Sequence, residues 1–241
     1  MTGKIPRANQ MYLPFDAEGL GYDALADEAG DEAVGAASFI LSLRARGIRD
    51  IALLRAMELV PRDVFAPRRF TDLSRTDVSL PLACGQTMTA PRTVATMLLA
   101  LGVQPGHRIL EIGTGSGYVT ALLAKLGGEV VSVERFNTLA ASAVQHLRIV
   151  EATTARIEVG DGLAARPRER FDRILLNGAW GDIPAPLLAL VAPGGRVVGA
   201  LKTEGLPRLV RVDRLDDDEF RQDYGANLRL AALLEGAATT L

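Results

Sequence analysis

The chain is short of the residues that build most thiol and metal sites. Cys84 is its one cysteine in 241 residues, so neither an intramolecular disulfide framework nor a cysteine-based metal cluster can form within it. Two histidines, His107 and His146, are too few and too scattered for a zinc site, and no metal is expected. No stretch nears the roughly 18 apolar residues of a membrane span, and the N-terminus lacks a signal-peptide core. The expectation is a soluble, cytoplasmic protein without a membrane partner. Charge of one sign is lacking too. With 27 basic and 29 acidic residues the formal net charge is −2, which sets up no field to draw nucleic acid or an anionic membrane.

What the chain does have is apolar material, 48% of it, enough for a sizeable core. Its length suits one large domain, or a core with an appended subdomain. Residues 1–33 set Asp16, Glu18, Asp23, Asp27, Glu28, Asp31 and Glu32 against Lys4 and Arg7, with frequent glycine and weak periodicity. They read as an acidic, partly disordered extension.

Residues 34–60 carry two helical patterns, Phe39, Ile40, Leu41 and Leu43, then Leu53, Leu54, Met57 and Val60, separated by Gly47 and ended by Pro61. Residues 66–90 are rich in turn formers. Pro91 suits the first turn of a helix, with Thr89 just before it as a capping hydroxyl. That helix shows Val94, Met97, Leu98 and Leu101 on one face and ends at Gly102. Cys84 reads as a buried small apolar group.

From residue 107 strand and helix patterns alternate. Strands are expected at 107–112, 129–134, 156–160, 171–177 and 197–201, with helices at 118–126 and 182–191. Two further β patterns, at 208–213 and 227–234, complete the set. Such alternation predicts an α/β fold with a mainly parallel twisted sheet and helices on both faces.

The stretch Arg108-Ile-Leu-Glu111-Ile-Gly113-Thr114-Gly115-Ser116-Gly117-Tyr118 is the most informative. A buried strand breaks into a turn with glycine at every second place, where the backbone must come close to something. Strand, glycine turn and helix N-terminus form a nucleotide cradle at the carboxyl end of a parallel sheet. The dinucleotide fingerprint is G-x-G-x-x-G, and here Tyr118 stands where its last glycine belongs. The next strand ends in Glu134, about 20 residues past the turn, where a carboxylate accepts hydrogen bonds from ribose hydroxyls. The third ends in Asp161-Gly162, and an acid there can accept from an adenine amino group. His107 falls in the loop before the first strand. Trp180 is left open between lining the pocket and capping the core.

The pattern Glu111-x-Gly113-x-Gly115-x-Gly117 resembles the first motif of class I S-adenosylmethionine (AdoMet) methyltransferases. From Asp50 to Leu201 the chain resembles the protein-L-isoaspartate O-methyltransferases. The likeness rests on Val60-Pro61-Arg62 with Phe65-Ala-Pro67, on Leu80-Pro81 with Gly85-Gln86-Thr87-Met88-Thr89-Ala90-Pro91, and on the glycine motif. Gly160-Asp161-Gly162, Ile183-Pro184 and Pro193-Gly194-Gly195-Arg196 extend it. The resemblance implies a Rossmann-like class I methyltransferase core over 106–241, with a helical, substrate-side subdomain over 34–105. It implies that S-adenosyl-L-methionine lies against Glu111, Gly113, Thr114, Gly115, Ser116, Gly117, Glu134, Asp161 and Gly162, with Thr87 and Met88 at its methionine end. Thr89 takes the place of the family's catalytic hydroxyl. The partner implied is an isoaspartyl-containing protein or peptide.

The chemistry agrees with that inventory. A carboxylate nucleophile has a pKa of about 4 and needs no general base at neutral pH. Alignment and removal of water remain. Three departures fall on the substrate side: threonine replaces the usual serine at 89, no glutamine occurs in Gly205-Leu-Pro-Arg-Leu209, and Asn227-Leu-Arg-Leu-Ala231 stands where the family carries aromatic-Val-Pro-Leu. A methyltransferase for another carboxylate, an amine methylase reading from Asn177-Gly-Ala-Trp180, and an AdoMet-binding relative without activity stay open on the sequence.

Overall fold

The helical patterns before residue 60 become two helices in the computed structural model, which describes residues 22–162, 169–215, 219–234, 236 and 238, with side chains from residue 33 on. Helix α1 is Tyr22–Ala45 and α2 is Ile51–Leu59. Periodicity is weak before residue 34, yet the helix already begins at Tyr22. Residues 1–21 of the acidic stretch lie outside the described residues. The chain divides into two units, Met1–Gly35 and Ala36–Leu241, and the sheet with its covering helices belongs to the second. Phe39 and Leu43 of α1 are buried there. Asp50 starts α2 by accepting the Leu53 N–H at 2.8 Å.

Beyond Pro61 the backbone tightens into short 3-10 turns at Arg62–Phe65, Arg68–Leu73 and Ala83–Gly85. Two-residue strands β1 (Leu80–Pro81) and β2 (Thr87–Met88) pair antiparallel around the last of them. Helix α3 (Pro91–Leu101) ends on Gly102 at φ +63°, as the sequence predicts. Its start differs from expectation. Thr89 does not cap it; Ala90 is the N-cap without a side-chain bond, and the Arg92 N–H donates to Asp77 Oδ1 at 2.9 Å. The cap is supplied by a loop 15 residues away, which local spacing cannot reveal.

The alternating half of the chain forms a seven-stranded sheet. Its strands are β3 (Arg108–Ile112), β4 (Glu129–Glu134), β5 (Ala155–Val159), β6 (Phe171–Trp180), β7 (Val191–Leu201), β8 (Arg208–Arg214) and β9 (Phe220–Asn227). Spatial order is β5-β4-β3-β6-β7-β8-β9. The first five in that order are parallel, while β8 pairs antiparallel with β7 and β9 antiparallel with β8. Helices α4 (Tyr118–Lys125) and α5 (Asn137–Ile149) make the crossovers from β3 to β4 and from β4 to β5. The direction of winding reverses at β3, and a crevice for a ligand opens above such a reversal.

Both faces of the parallel strands are covered, which explains their nearly continuous apolar runs. Ile109, Val130, Leu175 and Val198 pack with α2, α3 and α4 in one core cluster. Leu110, Ile112, Val131, Ile174 and Val197 look the other way and pack with Leu187 of the one-turn helix α6 (Ala185–Leu188).

Two expected elements differ. The helix at 182–191 shrinks to α6 because Val191 pairs with Phe171 and already belongs to β7. Pro193, Gly194 and Gly195 then form an irregularity inside β7 rather than a turn before it, since Arg173 pairs with Arg196. The strand expected at 227–234 is not one. The last strand is β9, exposed along its whole length, so it carries no period-two signal. The apolar residues after it make a strap. The Ala179 N–H donates to Ala231 O at 2.7 Å, the Leu233 N–H donates to Ala179 O at 2.9 Å, and one parallel bridge joins Ala179 to Ala232.

Candidate active site

A cavity opens above the carboxyl ends of β3, β4, β5 and β6, where the winding reverses. Ten of the twelve residues assigned to the site by the sequence line it: Gly113, Thr114, Gly115, Ser116, Glu134, Asp161, Gly162, Thr87, Met88 and Thr89. Glu111 and Gly117 do not.

The floor is the glycine turn. Gly113, Gly115 and Gly117 all take left-handed φ (+93°, +57° and +87°), which costs an L residue about 1–2 kcal/mol. At Gly113 a Cβ would lie 3.1 Å from Leu233 of the strap, and at Gly117 it would lie 3.1 Å from Ala143 of α5. These two glycines are packed over from outside. At Gly115 the nearest atom is Leu82 Cδ1 at 3.6 Å, so the missing side chain leaves room in the cavity itself.

Two acids fix this turn, by different routes. Glu134, at the tip of β4, accepts the Gly115 N–H at 2.8 Å and the Phe136 N–H at 3.0 Å while facing the cavity. Glu111 is fully buried below the turn. Its Oε2 accepts from the Thr120 hydroxyl at 2.5 Å and from Ser132 Oγ at 2.7 Å, and its Oε1 lies 3.4 Å from the donor Asn177 Nδ2. Burial pushes this carboxyl up to about 7; the Thr120 and Ser132 hydroxyls pull it down, Glu134 adds to the rise, and Asn177 opposes it. The cofactor contact expected of Glu111 is therefore corrected: it anchors the turn from underneath. Gly117 is corrected likewise, because it serves the packing of α4 on α5.

Asn177 was missed as a floor residue. Its Nδ2 donates to Gly113 O at 3.0 Å, tying the tip of β6 to the turn, and the residue lines the cavity. The available signal was a polar residue closing an apolar strand run. Ser132 inside Val-Val-Ser-Val carries the same signal. Trp180, open between two roles on the sequence, lines the cavity, and so does Phe136 next to Glu134.

The outer wall is the 86–89 segment together with strap residues 230–234. Met88 is buried in it and Thr89 half-buried. Arg62, 3% exposed, holds this wall by donating to Ser74 O at 2.8 Å, Val78 O at 3.0 Å and Thr89 O at 3.2 Å. Burial lowers its affinity for the proton, with the Tyr118 ring hydroxyl and Asp77 acting the other way. Cys84 is half-exposed rather than buried and sits at φ +57°, in the turn between β1 and β2. His107 lies in the loop before β3, where its Nδ1 accepts the Gln104 N–H at 3.0 Å.

The result is a cavity with carboxylates Glu134 and Asp161 at one end and hydroxyls Thr87 and Thr89 at the other. Neither histidine lines it, and nor does the cysteine. Such a site can hold a polar nucleotide at the acidic end and an anion at the hydroxyl end, without a proton-transfer relay.

Comparison with known proteins places these features in a family. The family model described as protein-L-isoaspartate(D-aspartate) O-methyltransferase (PCMT) matches residues 36–237. A protein-L-isoaspartate O-methyltransferase of Rhodopseudomonas palustris (strain BisA53) is 46% identical over 205 residues, 84% of this chain and 95% of its own length. One from Xanthobacter autotrophicus is 42% identical over 206 residues, 85% of this chain and 94% of its own. Among solved structures, a protein-L-isoaspartate O-methyltransferase from Plasmodium falciparum in complex with S-adenosyl-L-homocysteine superposes with a TM-score of 0.73. It is 20% identical, with 82% of this chain and 97% of that one covered. That likeness bears on the fold.

Proposed function

This chain belongs to the protein-L-isoaspartate(D-aspartate) O-methyltransferase family, and from that premise we propose how its cavity divides the work. The enzyme transfers a methyl group from AdoMet to the α-carboxylate of L-isoaspartyl residues in damaged proteins or peptides. The observation that carries the division is the pairing of a left-handed glycine floor, open at Gly115 and bonded to Glu134, with the hydroxyl-bearing 87–89 wall across the same cavity.

The residues fit AdoMet. The open face of Gly115 accommodates the methionine tail. Glu134 offers its remaining acceptor capacity to the ribose hydroxyls, Asp161 accepts from the adenine amino group, and Phe136 offers an aromatic face to the base. Bound there, AdoMet supplies an electrophilic methyl group on a sulfonium. The chain's own work is then to align and to dry the nucleophile. Thr89 Oγ1 donates a hydrogen bond to the substrate carboxylate and holds one oxygen toward the acidic end. Arg62 keeps Thr89 in place through its carbonyl. Leu230, Leu233 and Trp180 exclude water from the nucleophile, which strengthens every polar contact inside. No base is required, because the carboxylate is ionised at neutral pH. This reading also assigns the enzyme to the cytoplasm, supported by a single cysteine and by the fact that no described helix is long and apolar enough to cross a membrane.

The deciding experiment offers radiolabelled AdoMet with an isoaspartyl peptide and its normal aspartyl twin. Base-labile label on the isoaspartyl peptide alone is expected. Equal labelling of both peptides contradicts the substrate assignment, and base-stable label would point to an amine acceptor.

A further inference from the structure

We infer that His146 is a positioning residue for the AdoMet site: its ring, carrying a proton on Nδ1, donates to the Ser116 carbonyl and so sets the shape of the glycine turn. The inference rests on the reading of that turn as the cofactor's floor.

Helix α4 begins accepting hydrogen bonds at Gly117, whose carbonyl takes the Ala121 N–H at 2.9 Å. The Ser116 carbonyl therefore lies one residue outside the helical ladder, beside the cavity, and needs a donor from elsewhere. His146 Nδ1 stands 2.9 Å from it. A carbonyl oxygen only accepts, so Nδ1 must carry the proton. His107 shows the opposite arrangement. Its Nδ1 accepts the Gln104 N–H, so the neutral ring carries its proton on Nε2. The two histidines of this chain thus have opposite tautomers.

The same face of α5 bears on the turn twice. Ala143, one helical turn before His146, fills the space beside Gly117, where a Cβ would lie 3.1 Å away. The His146 ring itself is fixed by an edge contact with Phe65, with centroids 5.5 Å apart and planes at 70°. Phe65 in turn meets Tyr118, the first residue of α4, at 5.5 Å. Helix α5 thereby links the cofactor floor to the 3-10 turn that carries Arg62.

Two measurements test this. Long-range proton–nitrogen correlation on the labelled full chain, at about pH 8.5 and so above the ordinary histidine range near 6.5, resolves both rings without any ligand. One ring protonated on Nδ1 and one on Nε2 is expected; both protonated on Nε2 overturns the inference. Calorimetric titration with AdoMet then compares His146→Leu with His146→Asn, whose amide nitrogen occupies nearly the place of Nδ1. His146→Leu should bind roughly tenfold more weakly, and His146→Asn within about twofold of the parent, the difference being one hydrogen bond. Equal weakening in the two variants, or a loss of melting temperature with unchanged affinity, would mean packing alone and would overturn the inference. A parent chain that fails to bind AdoMet sinks the cofactor reading instead, and the tautomers then decide whether the Ser116 contact exists.

Discussion

The floor and the outer wall of the cavity are built from different materials. The floor joins the tips of β3, β4 and β6 through side chains held deep in the fold: Glu111 bound by Thr120, Ser132 and Asn177, and Thr114 Oγ1 at 2.6 Å from Ser132 Oγ. The wall is made of two-residue strands, 3-10 turns and a strap tied to the sheet by two backbone bonds at Ala179. Its buried charged anchor is Arg62. The floor is over-determined, whereas the wall hangs on a few contacts. That suits a site whose cofactor is always the same and whose peptide substrates differ.

If this contrast is right, changes in the floor should abolish cofactor binding or stability, and changes in the wall should alter turnover. The largest effect is expected at Gly115→Val. Its side chain would project into the cavity from a left-handed backbone. Calorimetry should find no AdoMet binding, and an unchanged affinity would remove the methionine tail from that spot. Next comes Glu111→Ala, which strips the buried Thr120 and Ser132 hydroxyls, and the half-buried Asn177 amide, of an acceptor. A loss of about 3 kcal/mol or more is expected, roughly a 10 °C fall in melting temperature.

Glu111 also gives the floor a pH signature. Its carboxyl titrates at 4.5 when unperturbed and at about 7 in the fold. Between these values the unfolded chain releases the proton while the folded chain keeps it. This contribution to stability is full below 4.5 and is lost as the pH rises through 7, roughly 3 kcal/mol in all. His107, lowered from the ordinary histidine value chiefly by burial and also by Arg173, slopes the other way in the same window. The comparison is therefore between parent and Glu111→Gln in denaturant titrations at pH 5 and pH 8. The variant should lose the acid-side advantage, and parallel profiles would refute the assignment.

Smaller effects belong to the wall. Thr89→Ala should lower kcat about tenfold, the value of one hydrogen bond, and leave AdoMet affinity unchanged. Equal activity would take Thr89 out of the mechanism. Smallest is Cys84→Gly, which relieves a left-handed φ. About 0.5 kcal/mol of added stability is expected, read as a slight rise in melting temperature.

The same contrast governs what could be read from the sequence. The floor's strands, the glycine turn, Glu134 and Asp161 were all legible, because strand tips follow apolar runs and turn residues announce themselves locally. Glu111 is legible as part of the site but its direction is not, since spacing alone does not say whether an acid points up into a crevice or down under a turn. The wall was largely illegible. The cap on α3 comes from Asp77 and the brace on Thr89 from Arg62, both contacts between distant segments. The strap reads as a strand because Leu228, Leu230 and Leu233 are apolar, yet Leu228 enters the core while Leu230 and Leu233 line the cavity, where a strand would extend the sheet. β9 escaped notice because every residue in it faces water.

The most direct test of the divided cavity is a crystal structure with S-adenosylhomocysteine and an isoaspartyl peptide bound together. The account predicts ribose hydroxyls on Glu134, the adenine edge at Asp161, and the peptide carboxylate within hydrogen-bonding reach of Thr89 Oγ1. A nucleotide seated elsewhere, or a carboxylate turned away from Thr89, would contradict it.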